Sequence, residues 1–241
     1  VYRLAEKAEA VIPNDPKLAQ IFSRSSLKVS IKTEPAGAKV FLKEYMSPAS
    51  DWTYLGVTPI EKIRLPVGIF RWKIEKDGYE TVLAATSTWN ADLNKPDIIV
   101  PYDLERTLDK TGGLPPGMTR VTGAETAAGK LADFFIDVYE VTNRQYKEFV
   151  VRDGYRDRKF WKERFVRDGR ELGWEQAVKG FVDQTGQPGP STWPAGDYPE
   201  GQGDDPVSGV SWYEAAAYAE FAGKRLPTGW HWGTARGEYT P

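Results

Sequence analysis

The sequence predicts a small β-sandwich followed by a region in which helical periodicity dominates. Three observations carry that expectation. Apolar and polar residues alternate between Leu27 and Glu75, capped helical patterns follow Thr142 and Ser211, and between them KTGGLPPGM, Lys110–Met118, is dense in Gly and Pro and has no period. The expected organisation is a helical lead-in over 1–25, a sandwich over 26–105, a linker over 106–117 and a second domain over 118–241.

VYRLAEKAEAVIPNDPKLAQIF, Val1–Phe22, reads as two short helices. Leu4, Ala5, Ala8 and Val11 make an apolar stripe in the first, and Asp15 before Pro16 gives the second an N-cap and a proline at its first position. Leu27, Val29 and Ile31 then alternate with Lys28, Ser30 and Lys32, and TEPAGA is expected to turn the chain as a hairpin into Ala38, Val40 and Leu42. Pro66 and Gly68 make a turn before Phe70, Trp72 and Ile74, and Asp77-Gly78 starts another. Several short strands at this spacing describe a sandwich.

After the linker, DFFIDVYEVTNRQYKEFV, Asp133–Val150, runs from an aromatic strand into a helix. Thr142 is its N-cap and Gln145 the reciprocal partner, a capping box that leaves Tyr146, Phe149 and Val150 as the buried stripe. Arg152–Arg170, crowded with charges of both signs, reads as a solvated helix face. Asp183–Pro206 is a Gly- and Pro-rich loop beyond the ~12–15 residues usual for structureless connections, and Trp193 and Tyr198 favour packing by its own side chains. Ser211 and Glu214 form a second capping box. Their helix is expected to reach about Ala222, with Trp212, Ala215, Ala219 and Ala222 as a packing face and Gly223 as the C-terminal cap.

Composition bounds the chemistry. The 241 residues, 40% hydrophobic, suffice for one or two cores. With 32 basic and 34 acidic residues the net charge is −2, which provides no field for nucleic acid or an anionic membrane. Absence of cysteine removes disulfides, thiolate nucleophiles and cysteine-zinc sites. No apolar run is long enough to span a bilayer, and a start at Val1 without a basic leader reads as a piece of a longer protein.

Gly209-Val210-Ser211 begins like a nucleophile elbow, but Tyr213 stands where the second glycine is needed, so Ser211 is read as a cap. His231 is the sole histidine and cannot join a multi-histidine metal site. Asp204 and Asp205 fall short of the roughly 6–8 oxygens calcium takes. No catalytic residue and no metal ligand is assigned. A weak ligand-binding surface is expected at Trp193, Tyr198, Trp230, His231 and Trp232, because aromatics suit recognition without chemistry. Thr142, Gln145, Ser211 and Glu214 are assigned as structural caps.

Pro35-Ala36-Gly37-Ala38, Gly56-Val57-Thr58-Pro59, Leu65-Pro66-Val67-Gly68 and Gly78-Tyr79 resemble, in order and spacing, a PEGA domain over about Ser26–Tyr102. That resemblance implies a small surface-associated binding or spacer module. Met118, Asp133–Asp137, Glu140–Asn143, Pro206–Trp212 and Gly223–Thr228 closely resemble the formylglycine-generating enzyme, or sulfatase-modifying factor, family from about Pro115 to Pro241. The match covers the N-terminal half of such a domain and implies an α+β fold related to C-type lectin domains. Two stretches depart from the family pattern. Ala217-Tyr218-Ala219-Glu220-Phe221 stands where relatives read AYCxW, and Thr228-Gly229-Trp230-His231-Trp232-Gly233 where they read TEAEWE.

A PEGA domain followed by this domain resembles the C-terminal, extracytoplasmic part of bacterial serine/threonine kinase-like signalling proteins. The family's chemistry depends on a cysteine pair that binds copper near the C-terminus of the domain. By that resemblance copper, or calcium, enters only through a C-terminal half that this chain does not hold. Three readings of function stay open. One is a non-catalytic binding or sensing region of a multidomain bacterial signalling or surface protein. The second is part of a formylglycine-generating oxidase whose catalytic half lies outside the chain, and the third is a purely structural surface module. The expected partner is a small molecule, peptide or protein, not nucleic acid.

Overall fold

A computed structural model describes residues 1–47, 49, 51–92 and 95–236. The chain divides into two compact units, Val1–Ile136 with Gly233–Pro241, and Asp137–Trp232. The stretch expected as a linker therefore groups with the first unit. Its attachment is visible in Asp109, whose carboxylate accepts two hydrogen bonds from the Arg120 guanidinium at 2.9 and 2.6 Å and whose carbonyl accepts from the Glu80 N–H at 2.8 Å.

The first unit begins with α1 (Tyr2–Glu9) and α2 (Pro16–Ser25), the latter capped by the Asp15 carboxylate. Ala5, Leu18 and Phe22 form their core, while Leu4 and Val11 of the expected stripe are exposed. The stripe rotates because Tyr2 packs edge-on against Phe22 and donates to the Arg64 carbonyl at 3.1 Å. The strands that follow are β1 (Ser26–Glu34), β2 (Lys39–Glu44), β3 (Thr53–Val57), β4 (Ile60–Pro66), β5 (Ile69–Glu75) and β6 (Val82–Ser87). Next come β7 (Trp89–Asp92), β8 (Lys95–Pro101) and β9 (Leu104–Thr107).

Two sheets organise them, β4-β1-β9 and β3-β2-β5-β6, with β1 antiparallel to β4 and parallel to β9. Period-two alternation buries Val29 and Ile31 from the first sheet and Val40, Trp72 and Ile74 from the second, and all five lie in one core with Leu65 and Leu104. β1 and β2 do not pair, so TEPAGA is a crossover between sheets and not the expected hairpin. Each strand has one apolar face, and placing them in different sheets gives both faces to the same core. Thr58 pins this corner. Its hydroxyl lies 2.6 Å from that of Thr33 and accepts from the Ala38 N–H at 3.0 Å, while Gly37 takes a left-handed φ of +90°. The turn at Pro66–Gly68 likewise passes from one sheet to the other. Three two-stranded ribbons complete the unit: β7-β8, β10 (Met118–Val121) with β13 (Phe134–Asp137), and β11 (Glu125–Thr126) with β12 (Gly129–Lys130).

The second unit holds α3 (Asn143–Val151), a β14-β15 hairpin (Phe165–Arg167 and Arg170–Leu172), α4 (Trp174–Val178) and α5 (Trp212–Phe221). The helix α6 (Gly229–Ala235) follows. The core of this unit is aromatic, built around Tyr146, Phe149, Tyr155, Trp161, Phe165 and Trp193. Arg152–Arg170 is not a helix: one 3-10 turn at Arg158–Phe160 and the β14-β15 hairpin replace the expected face. The cause sits at Gly154, whose N–H returns to the Phe149 carbonyl at 2.8 Å and whose Cβ position lies 2.1 Å from the Phe149 ring. Only glycine fits there, and the turn it makes sends Tyr155, Trp161 and Phe165 inward while the charges stay outside. On α5 the buried positions are Glu214, Ala217 and Ala219, whereas Trp212 is 57% exposed. The expected alanine face is therefore rotated.

Candidate functional site

α5 organises the second unit on both of its sides. At its start Ser211 and Glu214 close a capping box, the Ser211 hydroxyl accepting from the Glu214 N–H and the Glu214 carboxylate accepting from the Ser211 N–H at 2.7 Å. Thr142 and Gln145 do the same for α3. Glu214 has a second partner, since its other carboxylate oxygen accepts from the Tyr155 hydroxyl at 2.6 Å, and Tyr155 accepts in turn from Tyr146 at 3.1 Å. Burial pushes the Glu214 carboxyl above the usual carboxylate range, although hydrogen bonds from Tyr155 and Ser211 pull the other way. Burial raises both tyrosines further, so neither phenol ionises near neutrality. The row Tyr146–Tyr155–Glu214 is sealed from solvent. It is a structural strut, and the Ser211 hydroxyl beside it is committed to the helix cap.

The outer side of α5 is open. A groove of about 360 Å³ runs along Trp212, Ala216 and Glu220, which follow one another at i, i+4 and i+8. Phe160, Lys162 and Glu163 line it as well, as does Arg225–Thr228. Lys162, Glu163, Glu220 and Arg225 make no ion pair among the described residues. An exposed indole, an apolar floor and two charges of each sign thus share one concavity of a size typical of small-ligand sites, roughly 300–1,000 Å³.

The residues expected to bind ligand separate into two groups. Trp193 is 1% exposed and donates its indole N–H to Asn143 Oδ1 at 2.9 Å, so it is a core side chain, and Tyr198 packs edge-on against it. Their loop is held by Asp183, one carboxylate oxygen of which accepts from Thr185 N–H, Thr185 hydroxyl and Gln187 N–H at 2.7–2.9 Å while the other accepts from Gly196 N–H. Burial would raise this carboxyl, but those hydrogen bonds outweigh it and hold the group below its usual range. His231 and Trp232, by contrast, are bonded to the groove residue Thr228 without lining the groove themselves: the Thr228 hydroxyl pairs with His231 Nδ1 at 2.6 Å and accepts from the His231 N–H, and the Thr228 carbonyl accepts from the Trp232 N–H at 3.0 Å. Trp230 is half-buried and Trp232 is 55% exposed. The sequence reading missed Trp212, Lys162, Glu163, Glu220 and Arg225. The signal that could have found Trp212 is its place at the solvent end of the i, i+4, i+8 stripe.

Residues 101–239, more than half of the chain, match the sulfatase-modifying factor enzyme 1-like domain family, and residues 26–90 match the PEGA domain. The chain belongs to the sulfatase-modifying factor enzyme 1-like family. That membership implies a C-type-lectin-like fold for the matched part, and the strands and helices found here form mixed sheets with no closed barrel among the described residues. The chain is similar to the formylglycine-generating enzyme of Thermomonospora curvata, 36% identical over 121 residues that cover 43% of this chain and 37% of that protein. It is similar to the hercynine oxygenase of Mycobacterium tuberculosis, 33% identical over 110 residues, 41% of this chain and 22% of that one. It is also similar to the serine/threonine-protein kinase pkn1 of Chlamydia pneumoniae, 27% identical over 174 residues that cover 66% of this chain and 24% of the kinase. The match thus spans well under half the length of each relative. No solved structure matches the chain.

The copper that the family resemblance implies needs soft thiolate donors, and this sulfatase-modifying-factor-like chain has no cysteine. Its one imidazole has Nδ1 engaged by Thr228, and no three His, Cys, Asp or Glu side chains converge among the described residues. The donor set present here does not fit that metal.

Proposed function

We propose that this chain is a non-catalytic binding or sensing region of a multidomain bacterial signalling protein, and that the groove along α5 is where it binds. The observation that carries this reading is the concentration in one concavity of an exposed indole and four charges without an ion pair among the described residues, while the serine nearest to a nucleophile motif serves as a helix cap. Two cations and two anions favour a ligand that carries both signs on a compact apolar body, such as an unblocked short peptide. His231 acts indirectly, fixing Thr228 at the rim.

The similarity to a serine/threonine kinase supports a place in such a signalling protein, and the PEGA match supports an extracytoplasmic setting in which 26–105 is a two-sheet sandwich and spacer. No helix among the described residues is long and apolar enough to cross a membrane. The reading is tested by titrating unblocked dipeptides and tripeptides into the chain. Binding should be lost on Trp212→Ala and on Arg225→Ala, and end-blocked neutral peptides should fail. The chain should also leave a cysteine peptide unchanged in mass when supplied with Cu(I) and oxygen. Conversion of that cysteine, or binding indifferent to both substitutions, overturns the proposal.

A further inference from the structure

β6 is the outermost strand of the four-stranded sheet and bonds to β5 along one side. Edge strands are normally shortened, bulged or furnished with lysine or proline, which stops other chains from adding to them. The sequence VLAATS has none of these devices. Its six residues pair with β5 without a register shift and include neither a charge nor a proline. Both ends are anchored, Glu80 N–H to the Asp109 carbonyl at 2.8 Å and Thr88 N–H to the Gly68 carbonyl at 3.0 Å. Between the anchors, among the described residues, the backbone bonds only to β5, whose Trp72 indole also donates to the Thr86 carbonyl. Val82 and Ala84 pack on the core while Leu83 is 71% exposed.

A cavity of about 440 Å³ lies along this edge. Three arginines, Arg106, Arg120 and Arg236, line it against two carboxylates, Glu80 and Asp109. Asp109 is committed to Arg120, and Glu80 accepts from the Gly112 N–H. Arg106 is half-buried, donates to the neighbouring Glu105 carbonyl at 2.7 Å and has no carboxylate partner among the described residues. A free row of backbone donors and acceptors therefore faces an uncompensated cation.

We infer that β6 is a docking edge for an extended segment of a partner protein, which adds as a fifth strand and sets an acidic side chain against Arg106. Backbone pairing supplies affinity that is tolerant of sequence, and the acidic residue supplies selectivity. A second copy adding through its own β6 is disfavoured, because VLAATS brings no carboxylate to Arg106.

The test uses the full 241-residue chain and two pools of ten-residue peptides alternating Thr and Val, one with a central Asp and one with a central Lys. The Asp pool should bind about tenfold or more tightly than the Lys pool and slow amide exchange across 82–87. Leu83→Lys should weaken both pools alike. Arg106→Glu should reverse the preference, and Arg106→Gln, milder for the fold, should abolish it. Equal affinity for the two pools overturns the inference, as does binding without protection of 82–87. Concentration-dependent protection of 82–87 in the chain alone also overturns it, by assigning the edge to a second copy.

Discussion

In the first unit the buried residues are largely aliphatic, Val29, Ile31, Val40 and Leu104 among them, and in the second they are largely rings, from Tyr146 to Trp193. The difference follows from how each unit satisfies its backbone. Aliphatic side chains offer no hydrogen bonds, so the strands around them must pair with one another. Rings with an N–H or O–H reach into irregular chain and do part of that work themselves. Trp161 donates to the Gly154 carbonyl at 2.9 Å, Trp193 donates to Asn143, and Asn143 passes the connection on to the Gln202 carbonyl at 2.9 Å. Indoles replace sheet in the second unit, which is why so little regular structure suffices there.

The comparison breaks most visibly through Trp161. Trp161→Ala removes a fully buried ring and orphans a carbonyl, and should cost about 4 kcal/mol in the second unit. Ile31→Ala should cost about 3 kcal/mol in the first. Calorimetry should show two transitions, each variant moving one of them. A single transition lowered equally by both variants would break the contrast between the units.

Two carboxylates sharpen the contrast through pH. Glu214 is raised by burial, so the folded chain keeps its proton to a higher pH than the unfolded chain. Its contribution is fully present below the ordinary carboxylate range and is lost as pH rises through the raised value. Asp183 is lowered by its hydrogen bonds, so its contribution is present above the ordinary range and is lost as pH falls from there through the lowered value. Urea midpoints of Asp183→Asn should fall less steeply than wild type on acidification. Those of Glu214→Gln should decline less as pH rises above the carboxylate range. Matching pH slopes for wild type and either variant would remove that carboxylate from the account.

The smallest effect belongs to the cap. Ser211→Ala should cost about 1 kcal/mol and Ser211→Asp very little. Labelling of Ser211 by a fluorophosphonate would contradict its role as a cap.

What the sequence disclosed was local. Strands announce themselves by alternation within five or six residues, and the caps at Thr142 and Ser211 by a four-residue pattern, because each involves neighbours in the chain. Whether β1 and β2 pair or switch sheets depends on Thr58, more than twenty residues away from Thr33, and no period in TEPAGA records it. Glu214 is legible as a capping residue but not as the partner of Tyr155, which lies 59 positions away. Trp193 is legible as an aromatic anchor of its loop, yet its burial depends on Asn143, 50 positions away. The groove escaped notice for the same reason, being assembled from three stretches that meet only in the fold.

The Asp183 loop carries a consequence for the order of assembly. Its carboxylate binds groups two, four and thirteen residues away, and Thr192 closes the stretch onto the Ser208 carbonyl sixteen residues on. Such short closures demand little chain entropy and can form before distant partners meet. The strut from Tyr155 to Glu214 must wait for a far longer closure. In pulse-labelling exchange during refolding, the amides of Gln187 and Gly196 should therefore gain protection ahead of that of Val207, which donates to the distant Val141 carbonyl at 2.9 Å, and the reverse order would show that the loop is set by its surroundings. An apparently structureless stretch would then be among the first parts of this protein to take its final form.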